Sequence, residues 1–582
     1  MPCIFRKPTP SINLGTYGPF GLRQCHLPLQ DFDTHMYVVG KTKKGKSKFL
    51  EHVAYQLIVQ GQGCGLLDPH SDLADDLLSY LAPYLKDEAA RARVIYFQPG
   101  RDDYLVPFNV LASPDEPYTV AQHVLEAFRR TWPESLAVAP RFDNIVLAAL
   151  LVLVDNHLTL AEMPRLLTEP DYREGLLDKA TNPEAVRFFH ERYDRWGREQ
   201  AVMAESVLNK VGAFVINPRL RLMLGQGGNR LPFREIMDGR KVLICDLGRV
   251  DGETRRLLGS LIVTGLEQAA FARKDLPRGQ RHPFFFLIDE FQDYCANEGS
   301  VQTLSRILSE CRKFGLHLGL AHQTLSQLGG GRMQGALENA QIKVIFGTGR
   351  QTAQALVEEL FVPQMEEVKH EVEDADQRER THPTFYSLSE QWERFTQRAQ
   401  RLPRRRTLVQ LPERDGVLAL RTPTVPEVNI SRSELEALKT ELAAPSGLHW
   451  SQMEDALKER QGVPGDCALS YYEPVKKPAK SKKNKTASAK NGPEPADAAA
   501  LGLGLLVSAG TYAFAVSKLG WAQSFYNMQQ KIDGYLFAAL VIIAPALAVL
   551  GAVLNAALNN KFPRTILNVF LYAPLILVPF CW

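Results

Sequence analysis

Along the first 360 residues, mostly apolar runs of three to seven positions alternate with longer stretches in which apolar residues return every three to four positions. The runs are Met36-Tyr37-Val38-Val39, Gly65-Leu66-Leu67 ending on Asp68, Arg93 to Phe97, Lys241 to Leu247, Phe284 to Ile288, Leu316 to Leu320 and Lys343 to Gly347. A run with no polar alternation reads as a strand covered on both faces. Between them, Phe49, Leu50, Val53, Ala54, Leu57 and Ile58 follow a helical period, as do a stretch from Asp72, a long one from Thr254 to Lys274 and another from Val301. Strand and helix in alternation predict an α/β fold with a parallel sheet whose working edge lies at the strand C-termini. From 114 to 222 the runs stop and only helical periods remain, for example Ile145, Ala148, Leu151 and then Leu158, Met163, Leu166 and Leu167. That stretch reads as an all-α insertion into the α/β domain.

The C-terminal end has a different texture. Residues 498–517, 534–560 and 565–582 carry no charge, and each is near or above the length needed to cross about 30 Å of hydrocarbon. They predict two or three transmembrane helices. Just before them, residues 476–490 hold seven lysines and no acid. Such a segment is a basic linker by composition and keeps the leading end of the first span in the cytoplasm. It is either a solvated spacer or a seat on anionic lipid headgroups.

Composition adds little: 582 residues, 45% hydrophobic and 23% charged, describe a globular chain with room for roughly three or four domains. A formal net charge of +3 identifies no partner. Eight cysteines without a C-x-x-C pair argue against a zinc site or a disulfide framework. The N-terminus lacks the apolar core of a signal peptide, so the first domain is expected in the cytoplasm.

The first chemistry follows the first strand. "GKTKKGKS", residues 40–47, fits G-x-x-x-x-G-K-[ST] between a strand and a helix, the context the motif requires. Gly40 and Gly45 let the backbone turn so that N–H groups, Thr42 among them, converge on phosphates. Lys46 would reach the β- and γ-phosphates of ATP, and the Ser47 hydroxyl would ligate Mg²⁺. The second lies at the end of the phenylalanine-rich run, in "FFFLIDEFQDY", where Asp289 and Glu290 arrive at the same sheet edge. Asp289 would hold the Mg²⁺ shell, and Glu290 would orient and deprotonate the attacking water. The alternative is a solvent-facing acid pair at a strand end. In "ECRKFGLHLGLAHQT", Gly315 stops a helix and the next strand runs into Gln323, an amide that either senses the γ-phosphate or bonds only its own turn. Asp68 and His70 are too close on one strand end to suggest a metal site.

Taken in order, GKTKKGKS, LLDPHSDL, VIYFQPG with Pro107-Phe108-Asn109, FFFLIDEFQ and ECRKFGLHLGLAHQ resemble the type IV coupling proteins. These are the TraG/TraD-like ATPases of conjugation and type IV secretion, within the FtsK/HerA superfamily of RecA-like P-loop NTPases. The resemblance spans about residues 30 to 360. It implies a ring, usually hexameric, that drives DNA or a DNA–protein conjugate toward a membrane channel, with secretion-channel or relaxosome proteins as partners and the inner membrane as its place. It also implies roles: Lys46 and Ser47 for nucleotide, Asp289 and Glu290 for metal and water, Gln323 as sensor, and Arg312 as an arginine finger in a neighbouring subunit's site. Arg312 has a plainer reading as a helix-terminal arginine on the dipole, and Arg350 is a second candidate.

Two features depart from that family. Lys43 and Lys44 make the loop unusually basic, and the hydrophobic spans follow the ATPase rather than precede it. The expected organisation is therefore 1–113 and 223–362 as two parts of the NTPase domain, 114–222 as the α insertion, 363–470 as a soluble extension, 471–497 as the linker and 498–582 as the membrane region. Three functions compete: a DNA-translocating ATPase, a receptor ATPase for secreted proteins, and a nucleotide-dependent membrane scaffold.

Overall fold

The computed structural model describes residues 10–461, apart from 114, 133–139, 295–297, 329–330, 362–367, 374–380, 413, 415, 427 and 429. The basic linker and the three candidate membrane spans lie outside the described residues. Among the described residues no helix is long and apolar enough to cross a membrane.

Fifteen strands follow in chain order: β1 (Ser11–Tyr17), β2 (Arg23–Pro28), β3 (Met36–Val39), β4 (Gly63–Asp68), β5 (Val94–Phe97), β6 (Tyr104–Leu105), β7 (Val242–Asp246), β8 (Phe284–Ile288), β9 (Leu316–His322), β10 (Ile342–Ile345), β11 (Val368–Glu373), β12 (Thr381–Phe385), β13 (Arg406–Gln410), β14 (Leu418–Arg421) and β15 (Leu448–His449). Eleven of them form one sheet in the order β2-β1-β14-β13-β10-β3-β9-β8-β4-β7-β5. The seven from β10 to β5 are parallel to one another. Every residue of β3, β4, β5, β7, β8 and β9 is buried, as their unbroken apolar character requires.

The sheet is not parallel throughout, and this corrects the expectation from sequence. β13, β14, β1 and β2 extend it as antiparallel strands. Strands with one wet face lack the apolar run that marks a central strand: β14 shows a single buried residue, Leu420. Two strands from the stretch 363–470 thus belong to the main sheet, while β11 and β12 pair only with each other and β15 pairs with β6.

The described elements between β6 and β7 are all helical, including Pro117–Thr131, Pro140–Asp155 and Arg198–Val215. Their apolar faces join the core on one side of the sheet, where Val146, Leu150, Met163, Leu166 and Phe189 are buried with Phe284 and Phe286. The other face is covered by the helices Lys46–Val59 and Asp72–Leu81, through Phe49, Leu50, Val53, Leu73 and Leu77 against Phe285 and Leu287.

Strand order decides what meets at the working edge. β3 and β4 are consecutive in sequence, yet β9 and β8 stand between them. Val39 is in register with His322, Leu320 with Ile288, and Ile288 with Leu67. The tips of four parallel strands therefore end within two residues of one another, β3 and β9 reaching further than β8 and β4.

Candidate active site

The loop after β3 leaves the sheet through two backbone bonds: Gly40 N–H donates to His322 O (3.3 Å) and Lys41 N–H to Gly347 O (2.9 Å). A Cβ on Gly40 would meet the Cβ of Phe346 at 2.5 Å, so only glycine fits there. Gly45 sits at φ +114°, where an L side chain is strained, and caps the helix Lys46–Val59. The first N–H groups of that helix have no partner within the helix and face the loop's hollow.

Six of the residues singled out in the sequence converge here. Lys46 Nζ lies 3.4 Å from Glu290 Oε1, with the two side chains 5% and 12% exposed. Ser47 Oγ donates to Asp289 Oδ2 (3.3 Å). Gln323 Nε2 donates to Glu290 Oε1 (3.0 Å), and Thr42 Oγ1 donates to Gln323 Oε1 (3.2 Å), so the amide at the tip of β9 spans the loop and the acid. Of the two readings of Gln323, the one confined to its own turn does not describe this geometry.

Glu290 adopts φ +45°, a left-handed conformation costly for a residue with a Cβ. Its carboxylate also accepts from Gln292 Nε2 (2.8 Å). Burial works to raise its pKa, but the Lys46 charge and the bonds from Gln323, Gln292 and Lys46 outweigh it and hold it below the usual value. Asp289 moves the other way: burial raises its pKa and the neighbouring Glu290 adds to that, against Lys46, its backbone bond and Ser47. The two adjacent acids are thus differentiated by their surroundings, Glu290 as the firmly ionised one.

Arg312 is not part of this cluster within one chain. It precedes β9, whose seven residues span roughly 20 Å, and it lines an open hollow of about 740 Å³ with Asp33, Glu338, Lys343 and Arg414 at the opposite sheet edge. Arg350, at the start of the helix Arg350–Leu360, is exposed and forms a two-point pair with Glu393 (3.0 and 2.7 Å).

Several participants escape the sequence. His322 is fully buried, with Tyr37 Oη 2.6 Å from its Nε2 and Thr324 O 3.1 Å from its Nδ1. Burial and the Lys46 charge push its pKa down to about 3, so it is neutral, holding a proton on Nδ1 and accepting from Tyr37. The pair braces the turn that carries Gln323. Its one sequence signal is a histidine closing a mostly apolar strand.

Lys44 is the other. Its Nζ donates to Leu402 O (2.8 Å), and its own carbonyl accepts from Arg405 N–H (3.0 Å). The corner between the helix Leu388–Gln400 and β13 is thereby fastened to the phosphate-type loop.

Asp68, at the tip of β4, accepts from the N–H groups of His70 (2.8 Å) and Ala74 (2.9 Å) and so starts the next helix. Asp246 accepts from Ser71, Tyr96 and Gln98. Among the described residues no group of three or more His, Cys, Asp or Glu is placed to hold a metal ion.

Residues 283–408 match the family model of the TraM recognition site of TraD and TraG. No curated protein matches the sequence. Among solved structures, the plasmid coupling protein TrwB in complex with ADP and Mg²⁺ aligns at a TM-score of 0.51 and 16% identity, over 74% of this chain and 92% of that one. An unbound monoclinic form of the bacterial conjugative coupling protein TrwBdeltaN70 gives 0.49 at 16% identity, over 74% and 93%. VirB4 of Thermoanaerobacter pseudethanolicus gives 0.45 at 13% identity, over 72% and 98%.

Proposed function

We propose that this chain, which groups with the type IV coupling proteins of the FtsK/HerA-like P-loop ATPase class by its family match and its fold, is an ATP-driven motor that moves DNA toward a secretion channel. The observation that carries the reading is the meeting of Lys46, Ser47, Asp289, Glu290 and Gln323, drawn from three strand tips, in one cluster. The residues fit Mg²⁺-ATP. A glycine-lined turn at a helix N-terminus suits phosphate. The Ser47 hydroxyl and the Asp289 carboxylate, 3.3 Å apart, offer the hard oxygen donors that Mg²⁺ prefers. A TrwB structure of this fold was obtained with ADP and Mg²⁺.

When bound, Mg²⁺ supplies positive charge to the phosphate oxygens. The chain's own part is positioning. Lys46 neutralises the terminal phosphates, Gln323 aligns the nucleophilic water, and Glu290, kept ionised, accepts that water's proton. Arg312 completes the charge balance from a neighbouring subunit of a ring, because within its own chain it stands a strand's length away. The 498–582 stretch tethers the motor to the inner membrane, with the ATPase on the cytoplasmic side, and relaxosome or channel proteins deliver and receive the cargo.

Turnover by the purified full chain, measured with and without single- and double-stranded DNA, tests this. Stimulation by DNA is expected. An active oligomer indifferent to DNA would instead favour a receptor for secreted proteins. Turnover that survives both Lys46→Ala and Glu290→Gln would end the motor reading.

A further inference from the structure

From Arg394 to Pro412 the chain holds six arginines and no acid. Arg394, Arg398 and Arg401 recur at i, i+4 and i+7 along and just past the helix Leu388–Gln400, so they form one stripe rising about 10 Å along its axis. All three are exposed, and they line an open hollow of about 340 Å³ together with Phe395 and Gln397. The two acids of the helix, Glu390 and Glu393, are bound to Lys369 and Arg350. Arg394 lies over the Tyr386 ring, 4.1 Å from its centroid. No described acid pairs with Arg398 or Arg401.

An arginine stripe is most simply a solvated face, but two observations set this one apart. The hollow joins guanidinium groups to an aromatic ring, Phe395, which is itself stacked on Phe361 (centroids 4.4 Å apart) and so held in place. Cationic side chains that follow a backbone, beside rings on which bases lie, are the two elements of single-strand recognition. An acidic peptide would pair with the arginines alone, whereas a single strand would also use the exposed part of the half-buried Phe395 ring that lines the hollow beside them. The end of the stripe is also fastened to the nucleotide loop, through Lys44 to Leu402 O and Arg405 N–H to Lys44 O. A strand held there would sit where a change in the loop moves its contact.

We propose that the Arg394–Phe395–Arg398–Arg401 face is a contact site for single-stranded DNA, reading phosphates and base faces without sequence preference. This rests on the DNA-motor reading and names a surface that engages the cargo.

The test is fluorescence anisotropy of a labelled oligothymidylate with the full chain across a salt series. Arg398→Glu/Arg401→Glu is expected to raise the dissociation constant at least tenfold and to lower the slope of log affinity against log salt by about 1.4, two phosphate contacts of a single strand. Arg398→Lys/Arg401→Lys keeps most of the affinity. The equally charge-reversed control Lys86→Glu/Arg278→Glu, at exposed sites elsewhere, leaves both quantities within about twofold of wild type. Nucleotide binding and melting temperature, read for every variant, exclude misfolding. If wild type binds the oligonucleotide and the Arg398/Arg401 reversal changes neither affinity nor slope, this site is wrong and the motor reading stands. If wild type binds no DNA, both fall. Polyglutamate bound as tightly through Arg398 and Arg401 would replace DNA as the occupant and overturn the proposal.

Discussion

Lys46 Nζ and Glu290 Oε1 stand 3.4 Å apart, though their sequence separation is 244. The contact ties the group that would bind phosphate to the group that would activate water, and the Lys46 charge helps hold the Glu290 carboxylate ionised. In the proposed mechanism, removing Glu290's charge would free Lys46 for phosphate while removing the proton acceptor. Glu290→Gln is therefore expected to lower turnover by about 10² to 10⁴ while nucleotide binding is kept or tightened. Lys46→Ala is expected to abolish nucleotide binding itself. Equilibrium binding of a fluorescent ATP analogue beside steady-state hydrolysis separates the two. Equal loss of binding in both variants would contradict this division of labour.

A second expectation concerns acid stability. His35 is 1% exposed; burial, then the charges of His317 and Arg312, push its pKa down to about 3 from an ordinary 6.5, with Asp33 opposing. Its Nδ1 accepts from Leu318 N–H (2.9 Å), which fixes the neutral form. A histidine whose folded pKa is depressed contributes stability that is complete above 6.5 and is lost as pH falls toward 3. The slope is roughly 1.4 kcal/mol per pH unit within that window. His35→Gln keeps an acceptor for Leu318 and cannot titrate. The stability difference between wild type and His35→Gln, from denaturant unfolding, should shrink by about 2 kcal/mol between pH 7 and pH 5 in wild type's disfavour. A constant difference would show that His35 does not titrate in this range.

How much of this was readable beforehand follows from the physics of each signal. The seven parallel strands were legible because burial on both faces forces unbroken apolar runs, as in Phe284–Ile288. Ser47, Lys46, Asp289 and Glu290 were legible because each follows such a run or its glycine turn. The antiparallel strands β13 and β14 were not: β14 buries only Leu420, and the buried run of β13 is just Thr407-Leu408-Val409 between two polar residues. Lys44's anchoring of Leu402 was hidden because it depends on a contact across 358 residues. His322 and Tyr37 were hidden for a related reason: each looks like an ordinary strand residue until β3 and β9 lie side by side.

Arg312 gives a third expectation, and its position is the argument. Located at the N-terminal end of β9, it cannot reach the Glu290 cluster of its own chain, which lies past the far end of that strand. If it acts as the finger, it acts in trans. Arg312→Ala should bind nucleotide normally and turn over about 10³-fold more slowly. Mixing it with Lys46→Ala subunits should restore activity at those interfaces where an intact loop meets an intact arginine. Mixtures no more active than either parent would assign Arg312 to the hollow it shares with Asp33.

The last expectation isolates the brace behind Gln323. Tyr37 Oη donates to His322 Nε2 at 2.6 Å, and both residues are buried at the level of the site. Tyr37→Phe keeps the ring and removes only the donor, leaving a buried nitrogen without its partner. The expected cost is about 1 to 3 kcal/mol of unfolding free energy. Because His322 directly precedes Gln323, and Gln323 bridges Thr42 and Glu290, the loss should reach the chemistry as well. Turnover is expected to fall more than nucleotide affinity, since in the proposed mechanism the amide positions water whereas the loop from Gly40 to Ser47 holds phosphate. His322→Gln in the wild-type background, whose side chain can still accept from Tyr37, should cost less stability than Tyr37→Phe. A Tyr37→Phe protein destabilised as expected but unchanged in turnover would show that the brace serves the fold alone.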